Sequence, residues 1–266
     1  MNRTATLGSL ALSLGVLCFA LWLKSQPLNA EWMLALHAWR PDLPVLWAGL
    51  TLLGYGWALL MLVSGIDRAQ AHGALVALIA LVAGGLLSAA LKGVWAWPRP
   101  LSVLPAGAIE PIGIAVRGAT SFPSGHAMSA MATAALLVWL LPTTLPRRAW
   151  ACAAVVVLGA AAAFSRIMVG AHWPADVLAG GALGWLFALA CIGLLQRWPL
   201  AQRVPLKARL WIAIAVELAA AVSCLGSVHD YPPVVLLHYA LALLMITSAV
   251  LRWRRVRALA TGPAIA

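Results

Sequence analysis

Residues 73–100 read GALVALIALVAGGLLSAALKGVWAWPRP. No position from Gly73 to Leu91 is charged, and a helix needs about 20 such residues to cross the hydrocarbon core of a bilayer. The run stops at Lys92, and Arg99 follows between two helix-breaking prolines, Pro98 and Pro100. The stretch therefore reads as a membrane span that delivers two cations to the bilayer surface.

The pattern recurs on both sides. Apolar runs near 7–23, 45–64, 73–92, 126–141, 149–165, 175–195, 209–227 and 233–251 give eight expected spans. Breakers separate them at Pro41 and Pro44, Asp67-Arg68, Pro98 and Pro100, Pro142 and Pro146, Pro174, Pro199 and Pro205, and Pro232-Pro233. Of the 266 residues, 64% are hydrophobic and 9% charged, where a soluble domain carries about 25% charged residues. The expected fold is all-α, a polytopic membrane helix bundle in one domain without internal repeats. The run near 7–23 follows Arg3 as a signal peptide would. It is longer than a signal's apolar region and no small-residue cleavage site follows, so it is read as an uncleaved first span.

A net charge of +11 on a soluble protein would suggest nucleic acid. Here the basic residues flank the apolar runs, where they set topology and attract anionic headgroups. The expected partners are membrane lipids and no nucleic acid. Cys18, Cys152, Cys191 and Cys224 lie inside apolar runs with no disulfide or metal-ligand spacing, and are read as small core hydrophobes.

Taking the connections in order, one side gathers 12 basic residues, among them Arg3, Arg68, Arg147, Arg148 and Arg203, and the other side 6, namely Lys24, Arg40, Lys92, Arg99, Arg117 and Arg166. Cytoplasmic loops carry the excess of Lys and Arg, which places both termini in the cytoplasm. The connection 101–122 is long, apolar, and punctuated by Pro105, Gly107, Pro111 and Gly113. Two readings of it stand: a cover lying in the interface, since long loops are usually functional, or a tolerated insertion.

Three polar clusters interrupt the apolar background: Lys92 with Arg99-Pro100; Pro123-Ser124-Gly125-His126; and Ser165-Arg166 with His172 and Asp176. On the expected topology all three meet at one membrane face, and each suits a phosphate. Lys92, Arg99 and Arg166 can neutralise a phosphoryl dianion, the arginines bidentately. Ser124, Gly125 and His126 open a helix, where free backbone N–H groups and the dipole favour an anion; Gly125 leaves room for close approach. Asp176, four residues after His172, can hold one ring nitrogen and leave the other free as a nucleophile. His126 is then available as general acid and base. Taken singly, such residues are interfacial anchors, helix starts or local hydrogen bonds. His126, His172 and Asp176 are also metal-ligand types, but the surrounding cations make a metal site electrostatically poor. The joint pattern, not any one residue, carries the reading.

That pattern resembles the signature of the type 2 phosphatidate phosphatases, relatives of bacterial acid phosphatases and vanadium haloperoxidases. Lys92, Arg99-Pro100, Pro123 to His126, Ser165-Arg166, His172 and Asp176 match it without substitution. The resemblance implies a six-helix catalytic core, a phosphohistidine on His172, and phosphate contacts from Lys92, Arg99, Ser124, Gly125, His126 and Arg166. It implies no metal and no cofactor. Residues 1–195, with motifs over 92–176, are expected to form the core, and 196–266 an extension with two further transmembrane helices. The implied substrates are lipid phosphomonoesters or pyrophosphates: undecaprenyl pyrophosphate, phosphatidylglycerol phosphate, phosphatidate or lipid A phosphate. The site would face the periplasm or exterior of a bacterial inner membrane. A phosphotransferase using the same phosphohistidine is the alternative within this chemistry, and a non-catalytic lipid or phosphate transporter the alternative outside it.

Three further readings concern lesser signals. Glu217, deep in the seventh run, is expected to contact His238 or another helix in a structural role. His229 and Asp230 are read as an ordinary polar turn near the headgroups. Trp95, Trp97 and Trp173 fit an interfacial belt or a lipid entrance.

The division of basic residues generates a topology test. Single cysteines near residue 110 are expected to react with an impermeant maleimide in intact cells, and those in 142–148 only after permeabilisation. The reverse pattern would invert the orientation.

Overall fold

The computed structural model describes residues 3–66, 71–198 and 203–260. The helices are α1 (Arg3–Lys24), α2 (Leu28–Trp39), α3 (Pro44–Leu52), α4 (Gly56–Ile66), α5 (His72–Val94), α6 (Pro100–Val103), α7 (Gly125–Leu140), α8 (Arg148–Met168), α9 (Pro174–Arg197), α10 (Leu206–Gly226) and α11 (Val235–Ala260), with a 3₁₀ turn at Pro232–Val234 before α11. The expected breakers Asp67-Arg68 and Pro199 fall outside the described residues.

Among the described residues six helices are long and apolar enough to cross a membrane, or seven with the bent pair α3–α4 taken as one span. Their outer faces carry bare aliphatic side chains, such as Leu12, Leu86 and Val222, which are 71%, 68% and 71% exposed. No aqueous surface tolerates such contiguous apolar area, so lipid surrounds the bundle. The protein is a multi-pass, all-α membrane protein.

Every expected span has its helix, with three differences. First, the run 45–64 is broken: α3 and α4 meet at 66°. Two glycines of weak helix propensity flank Tyr55, and the break is closed by short-range bonds from Leu53, Gly54 and Tyr55 amides to the carbonyls of Leu50, Thr51 and Leu52. Gly54 is required there, since a Cβ would lie 2.9 Å from the His126 Cβ and 3.0 Å from its carbonyl oxygen. Second, α7 falls short of the length of a full span. Third, α2 occupies a connection where no helix was expected, because its twelve residues are too short to stand out as a span.

That extra helix satisfies helix ends that the bilayer would leave unpaired. Asn29 accepts the Ala175 amide of α9 at 3.0 Å. The His37 ring bonds the Ile167 carbonyl at 2.8 Å, and Arg40, just beyond α2, donates to the Met168 carbonyl at 2.8 Å. The two ends that flank residues 169–173 are thereby fixed.

One other expectation is corrected. Cys191 and Cys224 are buried, but Cys18 lies on the exposed face of α1 and is not a core residue. Glu217 has the expected structural role, through other helices and not through His238: it accepts from Ser64, Ser248 and Arg252, the last at 2.9 Å, while His238 bonds the Val234 carbonyl. Breaking such a buried ion pair by removing one partner costs about 3–5 kcal/mol, so it fastens α10 and α11 to α4.

The crossing of α7 and α9 depends on small residues, as membrane helix interfaces do. A Cβ on Gly180 would lie 2.4 Å from the Ser124 carbonyl oxygen, and one on Gly184 2.1 Å from that of Met128. Gly184→Ala is expected to lose about 1–3 kcal/mol through overpacking, read as a lower melting temperature in detergent. Gly193→Ala is the control, because its Cβ would meet nothing within 4 Å. Equal melting of the two variants would refute the tight crossing.

Candidate active site

The site forms where two helices begin. Ser124 caps α7, its hydroxyl accepting the Ala127 amide at 3.4 Å. In α9 the Asp176 carboxylate accepts the Trp173 amide at 3.0 Å, the placement an acid takes in a first helical turn. The Ser124 amide donates to the Asp176 carbonyl at 3.0 Å, which locks the two helix starts together. Trp173 is buried and donates from its indole nitrogen to the Pro98 carbonyl at 2.8 Å. It therefore braces the Arg99 segment and does not sit in an interfacial belt.

His172 is 2% exposed. Its Nε2 stands 3.2 Å from Arg99 Nη1, and its Nδ1 3.4 Å from both Asp176 Oδ2 and Ser121 Oγ. A guanidinium has no acceptor, so Nε2 carries the lone pair and the ring proton resides on Nδ1. Burial, and after it the charges of Arg99, Arg166 and Lys92, hold the His172 pKa well below 6.5. The imidazole is neutral at pH 7, with a free electron pair directed among cations.

Those cations converge from three elements. Arg99 is buried; besides His172 it reaches the Ala171 carbonyl at 2.8 Å and the Thr120 carbonyl at 3.4 Å. Arg166, also buried, donates from Nη1 to Thr51 and Tyr231. A Cβ on Gly125 would lie 3.9 Å from Lys92 Nζ, so Lys92 flanks the α7 start. Arg99 Nε, Arg166 Nε and His126 Nε2 are buried with no hydrogen-bond partner among the described residues. Buried donors are ordinarily paired; an unpaired set among positive charges fits an anion with several acceptor oxygens. The structure thus brings together all eight residues expected from the sequence.

Residues 73–200 match the family model described as the PAP2 superfamily. That match covers just under half of the chain. It is 40% identical over 95 residues to lipid A 1-phosphatase of Rhizobium etli, covering 32% of this chain and 38% of that protein. It is 36% identical over 78 residues to phosphatidylglycerophosphatase B of Escherichia coli, covering 29% of this chain and 30% of that protein. The chain spans well under half the length of these curated relatives. Its fold is similar to the crystal structure of a transmembrane PAP2 type phosphatidylglycerolphosphate phosphatase from Bacillus subtilis, with a TM-score of 0.55 and 23% identity over 70% of this chain and 96% of that one. It is similar also to that of Aquifex aeolicus LpxE, with a TM-score of 0.50 and 22% identity over 64% and 98%.

Around the PAP2 motifs stand residues that sequence reasoning missed. Ser121 is fully buried and donates to the Asp176 carboxylate beside His172. Its signal was its place one turn before the Pro-Ser-Gly-His cluster, in a loop read only as cover or insertion. That loop is neither loose nor separate: the Arg99 amide bonds the Gly118 carbonyl, and the Ser121 amide the Trp97 carbonyl, each at 2.9 Å. Tyr55, at the bend before α4, sets its ring 4.5 Å from that of His126 in an edge-on contact. Its hydroxyl donates to Asp230, which therefore belongs to the surroundings of the site, whereas His229 is exposed.

Two of the cavities among the described residues bear on the site. One of about 350 Å³ is lined by Lys92, Gly125 and His126 at its polar end and by Leu59, Ala132 and Phe187 among its apolar walls. A larger one of about 600 Å³ lies among α1, α2, α8 and α9, with walls such as Leu12, Trp32 and Phe164; none of the motif cations lines it. The first is the one that reaches the motif residues, through Lys92, Gly125 and His126.

The state of His172 is open to measurement. In protein labelled with nitrogen-15 at histidine, its ring is expected to titrate below pH 6.5, with the proton on Nδ1 above that midpoint. Arg99→Gln removes a neighbouring positive charge, so the midpoint should rise. A wild-type midpoint above 6.5 would contradict the geometry.

Proposed function

We propose that the chain is a lipid phosphatase that hydrolyses a phosphomonoester or pyrophosphate through a phosphohistidine on His172. The observation that carries the reading is His172 Nε2: an unprotonated, buried nitrogen beside Arg99, with Asp176 and Ser121 behind the opposite side of the ring. The PAP2 match and the phosphatases that the chain resembles support the same chemistry.

In the first step the Nε2 lone pair attacks phosphorus and the bond to the leaving oxygen breaks. Arg99, Arg166, Lys92 and the Gly125 and His126 amides at the α7 start hold the equatorial oxygens, whose charge the transition state spreads. His126 delivers a proton to the leaving oxygen. As the phosphoryl bond forms, the His172 ring becomes cationic, and Asp176 stabilises it through Nδ1–H. In the second step water attacks phosphorus, His126 takes its proton, and the phosphorus–nitrogen bond breaks. The products are a lipid alcohol, or a lipid monophosphate from a pyrophosphate, and inorganic phosphate. No step calls for a metal, and the cations around the phosphate take the role a divalent ion would have.

The smaller cavity supports a lipid substrate. From Lys92 it runs along α5 to Ala80, twelve residues or about 18 Å down the helix. A headgroup at Lys92 would lead a hydrocarbon chain along Leu59, Ala132 and Phe187. The excess of basic residues on the opposite side supports a cytoplasmic location of both termini and a site facing the periplasm of a bacterial inner membrane. All proposed catalytic and phosphate-binding groups lie within 1–195, which we assign as the core, with 196–266 as the extension.

The test is phosphate retained on protein after brief exposure to a labelled aryl phosphate in excess EDTA. His172→Ala should lose roughly a thousandfold of the rate and retain no acid-labile label. His126→Ala keeps the nucleophile but lacks the activator of water, so label should form and persist. Label in His172→Ala equal to that in His126→Ala would mean a different nucleophile; loss of wild-type turnover in EDTA, restored by a divalent cation, would overturn the metal-free mechanism.

A further inference from the structure

We propose that Tyr231 is a positioning residue for Arg166, so that the turn between α10 and α11 is a working part of the phosphate site. The proposal rests on the lipid phosphatase reading and extends it beyond the matched domain, which ends at residue 200.

Arg166 lies in the last turn of α8 and is 3% exposed. Its Nη1 has two hydrogens and two acceptors: Thr51 Oγ1 at 2.8 Å and Tyr231 Oη at 2.6 Å. Both protons of that nitrogen are therefore spent on fixing the guanidinium. The edge formed by Nε and Nη2 remains, and Nε is buried without a partner among the described residues. A planar fork held at one corner and open along one edge is pre-organised for bidentate contact with a phosphoryl group. Neither holder lies within the matched residues 73–200: Thr51 precedes them and Tyr231 follows.

Tyr231 is itself held from several directions. It is 2% exposed, and its carbonyl accepts the Val234 amide at 3.1 Å. The preceding carbonyl, of Asp230, accepts the Ile114 amide at 2.9 Å, so the 101–122 loop is stitched to this turn. Gly113 makes that approach possible: its φ of +80° suits glycine alone, and a Cβ would lie 2.2 Å from the Asp230 oxygen and 2.6 Å from the Tyr231 ring. The Asp230 carboxylate accepts from Tyr55, the residue whose ring abuts His126. One turn thus restrains both Arg166 and the side chain beside His126. At the other end of the hairpin, the bond from Arg252 to Glu217 and that from Arg252 to the Ser64 carbonyl, at 2.8 Å, fix α10 and α11 to α4.

The experiment is a double-mutant cycle in the full-length protein. Tyr231→Phe removes the hydroxyl and keeps the ring that packs on Gly113. It is expected to lower kcat/KM on a short-chain phosphatidate about tenfold, chiefly in kcat, and to weaken orthovanadate binding by a similar factor, within the range of couplings between contacting residues. In Arg166→Ala the hydroxyl has nothing to position. Adding Tyr231→Phe there should change vanadate affinity, read by calorimetry without turnover, less than about twofold. Wild-type kcat/KM in Tyr231→Phe would overturn the proposal. So would an equal loss of affinity in both backgrounds, which marks a merely structural tyrosine. A wild-type protein that neither releases phosphate nor binds vanadate would sink the phosphatase reading, and this proposal with it.

Discussion

The Asp176 carboxylate is the point on which the arrangement turns. Its Oδ2 accepts the Trp173 amide and the Ser121 hydroxyl and stands within reach of His172 Nδ1, while the backbone carbonyl of the same residue accepts the Ser124 amide. One residue therefore caps a helix, orients an imidazole, anchors the loop before Pro123 and joins the starts of α7 and α9. Burying a carboxylate is costly unless hydrogen bonds offset it; here the bonds converge on Oδ2, while Oδ1 is buried with no partner among the described residues. The bonds that satisfy Oδ2 are the same ones that aim His172.

The bilayer explains why so many polar contacts gather at helix ends. Irregular backbone at membrane depth survives only where protein satisfies it or it lines a cavity. The break between α3 and α4 does both. Its amides close on carbonyls three residues back, and Gly54 and Tyr55 line the cavity at His126. α2 does the same work from outside, offering Asn29 to the start of α9 and His37 and Arg40 to the end of α8. The segment carrying His172 runs between those two ends, so its precision derives from helices that contribute nothing to the chemistry.

What was legible in the sequence was whatever repeats or clusters. Apolar runs gave every span, because lipid leaves a long uninterrupted signal. The polar clusters gave Lys92, Arg99, Ser124, Gly125, His126, Arg166, His172 and Asp176, because charge inside an apolar chain is conspicuous. Contacts between distant segments were not legible. Ser121, Thr51 and Tyr231 are ordinary residues whose importance lies in what the fold sets beside them. The bend at Gly54–Gly56 was hidden inside a run of acceptable hydropathy. Glu217 was seen as costly, but its partner, Arg252, looked like one more cytoplasmic anchor at the end of α11.

The acceptors that hold the cations decide what the site can attract. Arg99 is held by the Ala171 and Thr120 carbonyls and His172 Nε2, and Arg166 by the Thr51 and Tyr231 hydroxyls. All of these are uncharged. Carboxylates in their place would fix the guanidinium groups more tightly but would also cancel their charge, and a neutral pocket has little field to offer a phosphoryl dianion. Asp176 is the exception, and its bonds go to His172, Ser121 and Trp173 and not to the arginines. Holding like charges together with neutral partners is costly in isolation. That cost is met by packing at and beyond the site: the α7–α9 crossing, the capping by α2, and the C-terminal hairpin pinned at Glu217. The family motifs supply the charge, and the rest of the chain keeps that charge uncompensated and in place until an anion arrives.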